Sequence, residues 1–178
     1  MKTSDLCEKI EYRLLQGSMD TEVTDVIYDS RKVTEGTMFV CMVGAVTDGH
    51  KYIPDAVEKG AGVIVAEREE ACKGVTVILV ESARHALAYL SAAYFDYPAK
   101  KLTTIGLTGT KGKTTTTYII QDVLRQAGRK AGLIGTIATV IGETSIPARN
   151  TTPEGYGGYG GCRMPIHGHG GLFSGSEV

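Results

Sequence analysis

The chain has 178 residues, 42% of them hydrophobic, with 19 basic and 20 acidic side chains for a formal net charge of −1. That balance carries no electrostatic footprint for nucleic acid, and no apolar run reaches the roughly 20 residues of a membrane span. The apolar share is enough for a core in one or two domains. Met1, Lys2, Thr3, Ser4 and Asp5 lead into a polar amphipathic stretch and read as no signal peptide. The four cysteines, Cys7, Cys41, Cys72 and Cys162, are scattered without a C-x-x-C pair, so a reduced, cytoplasmic setting is expected. Oligomeric state has no signature in the sequence.

Residues 3–15 read as a first helix: Thr3 or Ser4 can cap it, Leu6, Ile10 and Leu14 recur at helical spacing, and Gly17 ends it. Residues 23–28 read as a strand, followed by Asp29, Ser30 and Arg31. Residues 37–43 form a strand apolar on both faces and hence buried. A loop over 44–50 leads to a short helix over 52–59, closed by Gly60. Residues 62–66 and 75–80 are two further β-rich runs. Ser82 then caps a helix that runs to about Phe95, and Pro98 stops it. The result is a small α/β unit over residues 1–98.

A second unit starts near Lys100. Residues 102–107 read as a strand and residues 116–127 as a helix with Ile119, Ile120, Val123 and Leu124 on one face. Gly128 closes that helix with a left-handed cap. Residues 131–134 follow as a second strand of a βαβ unit with a parallel sheet. Residues 137–141 and 144–146 flank Gly142 and Glu143, a hairpin turn.

Between the strand and the helix stand Thr108, Gly109, Thr110, Lys111, Gly112, Lys113, Thr114 and Thr115. A strand, a glycine turn ending in Gly-Lys-Thr and a helix are the layout of a phosphate-binding loop. Glycines let backbone N–H groups crowd round an anion, and the helix aims its positive dipole end at it. Lys113 adds a mobile cation for the outer phosphates, and the Thr114 hydroxyl can ligate the Mg²⁺ that accompanies a nucleotide. The general pattern G-x-x-x-x-G-K-S/T would need glycine where Leu107 stands, so the match is the shorter Gly109-x-x-Gly112-Lys113-Thr114. A glycine-rich turn with an exposed lysine is the plain rival. It does not account for two lysines and four successive threonines at a helix start, where threonine is an indifferent helix former.

The character changes at Gly155. Nine of the 23 glycines fall in residues 155–178, and no helical or strand period is legible there. Disorder is the expectation for such a segment. His167 and His169 stand two apart, but no acidic or cysteine ligand accompanies them at metal-site spacing, and they read as tail.

The order of segments is itself informative. Asp29, Ser30, Arg31, Lys32 and Val33 come first, then Gly36, Thr37, Met38, Phe39 and Val40. Gly44 with Thr47, Asp48, Gly49 and His50 follows, then Ala56, Gly60 and Ala61, and finally the phosphate loop. Together they resemble the Mur ligases, which extend UDP-N-acetylmuramoyl peptides during cell-wall (peptidoglycan) synthesis. Asn150, Thr151, Thr152 and Pro153 resemble the branch that adds a diamino acid to UDP-MurNAc-L-Ala-D-Glu. The likeness takes in residues 1–154.

The resemblance implies an ATP-dependent carboxylate–amine ligase with ATP and Mg²⁺ as cofactors. Its partners would be a UDP-MurNAc-dipeptide and a diamino acid, with no nucleic acid and no membrane. It implies an α/β fold: a UDP-binding N-terminal domain over 1–98, the start of a central parallel-sheet ATP-binding domain over 99–154, incomplete here, and an aberrant glycine-rich tail over 155–178. Ser30, Val46 and Thr47 would hold the uridine diphosphate. Gly109, Thr110, Lys111, Gly112, Lys113, Thr114 and Thr115 would hold ATP, with Lys113 and Thr114 catalytic and Thr114 at the metal. Asn150, Thr151 and Thr152 would approach the muramoyl-peptide. In the family, ATP phosphorylates the D-glutamate carboxylate and an amine attacks the acyl-phosphate, so the protein's work is positioning and cationic stabilisation.

Each of these residues has a structural rival. Ser30 could be a turn cap, Arg31 a surface ion-pair residue, His50 a packing residue, and Thr151 and Thr152 strand formers. The family continues with a segment reading MEVSSQGL. Residues 170–178 can be encoded so that the neighbouring frame reads MEVSSQGLK. The expectation is therefore a frameshifted tail and little turnover from this chain alone. A non-catalytic nucleotide-binding module and the D-Ala-D-Ala-adding ligase of the same family are the alternative functions.

Overall fold

The computed structural model describes residues 1–44, 47–70 and 72–148, together with the backbone of a strand at Gly171–Ser174. It divides into two compact units, residues 1–96 and 97–178.

The first unit is a five-stranded sheet in the order β1-β5-β4-β3-β2. Its strands are β1 (Arg13–Gln16), β2 (Val26–Ile27), β3 (Met38–Val40), β4 (Val63–Ala66) and β5 (Thr76–Leu79). β2, β3, β4 and β5 are parallel, and β1 joins β5 antiparallel at the edge. Successive strand residues point to opposite faces, so the unbroken burial of β3 and β4 means that both faces are covered. Phe39, Met38, Ile64 and Ile78 are among the largest fully buried side chains. At about 1.5–3 kcal/mol per fully buried aliphatic or aromatic side chain, such burial is the main force holding the unit.

Helix α1 (Thr3–Leu6), α2 (Ile53–Glu58) and α3 (Ala83–Tyr94) complete this unit. Ser82 caps α3 by accepting from the N–H of His85, and Ala83, Ala86, Leu87, Leu90 and Ala93 make its buried stripe.

The expected helix over 3–15 is wrong beyond Leu6. Residues 13–16 form the edge strand instead, and Leu14 is exposed. The open edge of β5 takes up the backbone groups of residues 13–16 in an antiparallel ladder. The Gln16 amide then donates to the carbonyls of Cys72 (2.5 Å) and Val75 (2.7 Å), so tertiary pairing overrides the local period.

The second unit carries a five-stranded sheet in the order β6-β10-β7-β8-β9. It contains β6 (Thr104–Leu107), helix α4 (Lys113–Gln126), β7 (Gly132–Ile134), β8 (Ala138–Ile141), β9 (Thr144–Pro147) and β10 (Gly171–Ser174). β8 and β9 form a hairpin across Gly142, whose φ is +59°. Gly128 takes the left-handed conformation after α4, at φ +71°.

Three sequence expectations change here. Helix α4 begins at Lys113 rather than Thr116, because Gly112 provides its left-handed start. Its buried positions are Thr117 and Gln121, while Ile119 and Val123 are exposed. The inward face is set by Tyr118 packing on Leu133, Ala138 and Val140. Finally, Gly171–Ser174, within the segment read as having no strand period, is a strand parallel to both β6 and β7 and inserted between them. The other expectations for residues 155–170 and 175–178, including disorder, a shifted frame and the pair His167 and His169, lie outside the described residues.

Candidate functional site

The loop from β6 to α4 is built by two glycines. Gly109 has φ +151° and Gly112 φ +79°, both in the region that side chains with a Cβ avoid. A Cβ at Gly112 would meet nothing within 4 Å, and one at Gly109 only the Lys111 carbonyl at 3.8 Å. These glycines are therefore required by backbone conformation, and the space beside them is open.

The first N–H groups of α4 have no partner one turn back, and they face that space with the positive end of a 14-residue helix. Lys113 is half-buried and folds its ammonium back onto the carbonyl of Gly109. Thr117 donates to the Lys113 carbonyl at 2.6 Å, which satisfies a hydroxyl that would otherwise be buried and unpaired. Thr114 is half-buried, and Thr110, Lys111 and Thr115 are exposed. The structure brings residues 109–115 together in a single turn. Its donor set is backbone N–H groups, one ammonium and threonine hydroxyls, which suits a polyphosphate and its Mg²⁺. Among the described residues no cluster of three histidine, cysteine or acidic side chains is placed to hold a metal; the Thr114 hydroxyl is an oxygen donor of the kind Mg²⁺ takes.

The first unit offers a second arrangement at the carboxyl ends of its parallel strands. After β2, Asp29 accepts from the N–H of Arg31 at 3.1 Å and receives its guanidinium at 2.8 Å and 2.7 Å. After β3, Asp48 accepts from the N–H of His50 at 3.0 Å and bonds its imidazole at 2.7 Å. Each aspartate thus starts a short 3₁₀ turn, Ser30–Lys32 and Gly49–Tyr52, and pins the side chain two residues on. The Arg31 guanidinium, helped by its backbone N–H, holds Asp29 down to about 2. The His50 N–H and ring, with Arg68, hold Asp48 down to about 2.

Ser30 is buried, and the cap of its turn is Asp29, not Ser30 itself. Its carbonyl accepts from Lys59, which also pairs with Asp55 at 2.9 Å. Arg31 is an exposed ion-pair partner, and the His50 ring is buried. Thr47 is exposed, and its carbonyl accepts from the N–H of Gly44 at 2.9 Å. Val46, Asn150, Thr151 and Thr152 lie outside the described residues.

Sequence reasoning named Asp29 and Asp48 within their motif segments but gave them no bracing role, and it missed Lys59, Glu67 and Arg68. The available signal was the repeated spacing, an aspartate two residues before a side-chain donor just past an apolar strand. Among the described residues no helix is long and apolar enough to cross a membrane.

Two family models match the chain: the Mur ligase family catalytic domain over residues 22–95 and the Mur ligase middle domain over residues 107–159. The chain is 43% identical over 154 residues to the UDP-N-acetylmuramoyl-L-alanyl-D-glutamate–2,6-diaminopimelate ligase of Clostridioides difficile, covering 86% of this chain and 32% of that protein. It is 46% identical over 138 residues to the ligase of the same name from Bacillus licheniformis, covering 78% and 28%. The chain therefore spans about a third of the length of the curated relatives it matches.

Among solved structures, the MurF ligase of Thermotoga maritima in complex with ADP matches with a TM-score of 0.58 at 26% identity, over 86% of this chain and 32% of that one. A UDP-N-acetylmuramoyl-L-alanyl-D-glutamate–2,6-diaminopimelate ligase matches with a TM-score of 0.76 over 99% of this chain and 36% of that one; at 18% identity this shows likeness of fold.

Proposed function

Since the chain belongs to the Mur ligase family through residues 22–95 and 107–159, we propose that it carries the nucleotide-binding portions of an ATP-dependent ligase that joins a diamino acid to UDP-MurNAc-L-Ala-D-Glu in cytoplasmic peptidoglycan synthesis. The observation that carries this reading is the turn from β6 into α4, where Gly109, Gly112 and Lys113 present amides and an ammonium to one open space.

In this reading residues 109–115 take the triphosphate of ATP. The backbone N–H groups at the start of α4 bind phosphate oxygens, and Lys113 leaves the Gly109 carbonyl to bridge the outer ones. Mg²⁺, when bound with the nucleotide, would neutralise developing phosphoryl charge, with the Thr114 hydroxyl as its protein ligand. Ser30, Val46 and Thr47 take the uridine diphosphate at the carboxyl edge of the first sheet, the usual side for ligands of parallel sheets. Asn150, Thr151 and Thr152 approach the muramoyl-peptide. The diamino acid is 2,6-diaminopimelate in the named relatives.

The family uses ATP and Mg²⁺, and the chain spans only about a third of those relatives. Binding, rather than turnover, is therefore the decisive test. Titration calorimetry should show Mg²⁺-dependent ATP binding and, separately, UDP binding without ATP. A properly folded protein that takes up neither nucleotide overturns the reading. UDP binding also separates a ligase from a simple nucleotide-binding module, which has no use for Ser30 and Thr47.

A further inference from the structure

The loop that carries Thr47 is closed by its own backbone. Gly49 donates to the Met42 carbonyl at 2.8 Å, Val43 and Asp48 form an isolated antiparallel bridge, and Gly44 donates to Thr47. A Cβ on Gly49 would fall 2.7 Å from the Met42 nitrogen, so the pinch depends on glycine.

This closed loop is anchored through one ring. The His50 side chain is 1% exposed. Its Nδ1 lies 2.7 Å from Asp48 Oδ1, and its Nε2 lies 3.1 Å from the backbone nitrogen of Glu67, the first residue after β4. The Glu67 N–H can only donate, so Nε2 carries no proton. Nδ1 therefore holds the ring's hydrogen and donates it to the carboxylate. The connection continues inward: Glu67 Oε1 accepts from the N–H of Ala83 at the start of α3, at 2.7 Å. On its outer side Asp48 is paired with Arg68 at 2.9 Å. The imidazole thus ties a surface loop to the end of a fully buried strand and, through Glu67, to a helix start.

We propose that His50, as the neutral Nδ1–H tautomer, is a positioning residue that holds the Thr47 loop in its uridine-nucleotide-binding shape. The proposal rests on the assignment of UDP to that loop. Its physical basis is pre-organisation. A loop tied down before the ligand arrives loses little conformational freedom on binding, and cutting the tie moves that loss into the binding step. Because the ring is buried and bonds the residue after β4, its loss also costs stability, so affinity is compared on folded protein.

The test uses the full chain and UDP as the probe. His50→Leu keeps an apolar body and removes both ring nitrogens. Its UDP dissociation constant, measured on the folded protein, should rise by about tenfold or more while Mg²⁺-ATP affinity stays near wild type; the urea midpoint should fall, because the Glu67 N–H and the Asp48 carboxylate each lose a partner. His50→Gln restores an acceptor for the Glu67 N–H and should return UDP affinity to within about threefold of wild type. Nitrogen-15 NMR of the wild-type ring at neutral pH should show a protonated Nδ1 and a bare Nε2. Equal UDP affinity in wild type and His50→Leu overturns the proposal alone, as does an Nε2–H ring or an imidazolium. No UDP binding by folded wild type overturns the uridine assignment itself, and the proposal with it. Should the leucine variant fail to fold, the glutamine variant and the tautomer decide: a glutamine variant tenfold weaker than wild type, or the wrong tautomer, overturns it.

Discussion

The ammonium of Lys113 sits on the carbonyl of Gly109, four residues behind it. The same lysine opens α4, so its charge lies between the loop backbone and the positive end of the helix. Backbone amides at a helix start repel a cation, and a carbonyl from the loop offsets that repulsion while no anion is bound. A polyphosphate would replace that carbonyl.

Lys113→Ala should therefore weaken Mg²⁺-ATP binding by at least tenfold, about 1.4 kcal/mol. Lys113→Arg should restore little, since a planar fork does not fit where a point charge folds back on a carbonyl. Thermal denaturation should differ little between these variants, because the lysine is not part of the core. Equal ATP affinity in wild type and Lys113→Ala would remove the phosphate role of this loop.

Asp29 and Asp48 give the first unit a defined acid sensitivity. Both carboxyls are held down to about 2 in the fold, by Arg31 and by His50 with Arg68 respectively. In an unfolded chain an aspartate titrates near 3.9, roughly. Between these values the unfolded chain binds more protons than the folded one. Their stabilisation is complete above about pH 4 and is lost as pH falls through about 2. Urea midpoints measured from pH 5 down to pH 2.5 should fall for wild type. The double variant Asp29→Asn, Asp48→Asn, which keeps acceptor oxygens but cannot titrate, should show a visibly shallower fall.

The legible parts of the chain are those where local chemistry and tertiary demand agree. The β3 run is apolar at every position because both faces of the sheet are covered, and Gly112-Lys113 marks a helix start that only glycine can open. Ser82 declares α3 by a cap that uses its own side chain. The illegible parts depend on partners far along the chain. Arg13–Gln16 becomes a strand because β5 has an open edge, whatever the spacing of Leu6, Ile10 and Leu14 suggests. Gly171–Ser174 is paired on both sides by strands far back in the chain, β6 and β7, and four residues are too few to show a period. At the candidate site, Ser30 and the phosphate loop are visible as motifs. The buried tie from His50 to Glu67 joins residues 17 apart and has no local signature.

The buried thiols should be inert. Burial pushes the Cys7 thiol up to about 12, and it pushes Cys41 upward as well. Both side chains are almost fully enclosed, at 1% and 0% exposure. The thiolate is the reactive form, and almost none forms at pH 8. Brief iodoacetamide treatment of the native protein at pH 8, followed by peptide mapping, should leave both cysteines unmodified, whereas treatment in urea should label both. Rapid native labelling of Cys41 would show that the β3 end of the sheet opens far more readily than its burial indicates.

Gly17 tests how the edge strand is held. Its φ is +84°, and a Cβ there would lie 2.4 Å from Thr76 Oγ1 and 2.6 Å from Thr76 Cα. The first atom could rotate away; the second is backbone and cannot. Thr76 Oγ1 also accepts from the Ser18 N–H at 3.2 Å and bonds the Thr21 hydroxyl at 2.9 Å, so rotation would break two further contacts. Left-handed backbone costs a side-chain-bearing residue about 1–2 kcal/mol, and overpacking typically adds about 1–3 kcal/mol. Gly17→Ala should therefore destabilise the first unit by about 2–5 kcal/mol in urea unfolding. Gly74→Ala is the matched control: its φ is +77°, but its Cβ would meet nothing within 4 Å. It carries the backbone cost without the clash and should lose only about 1–2 kcal/mol. Equal losses at the two positions would mean that β1 moves away from β5 freely and that the close approach of Gly17 to Thr76 holds nothing in place.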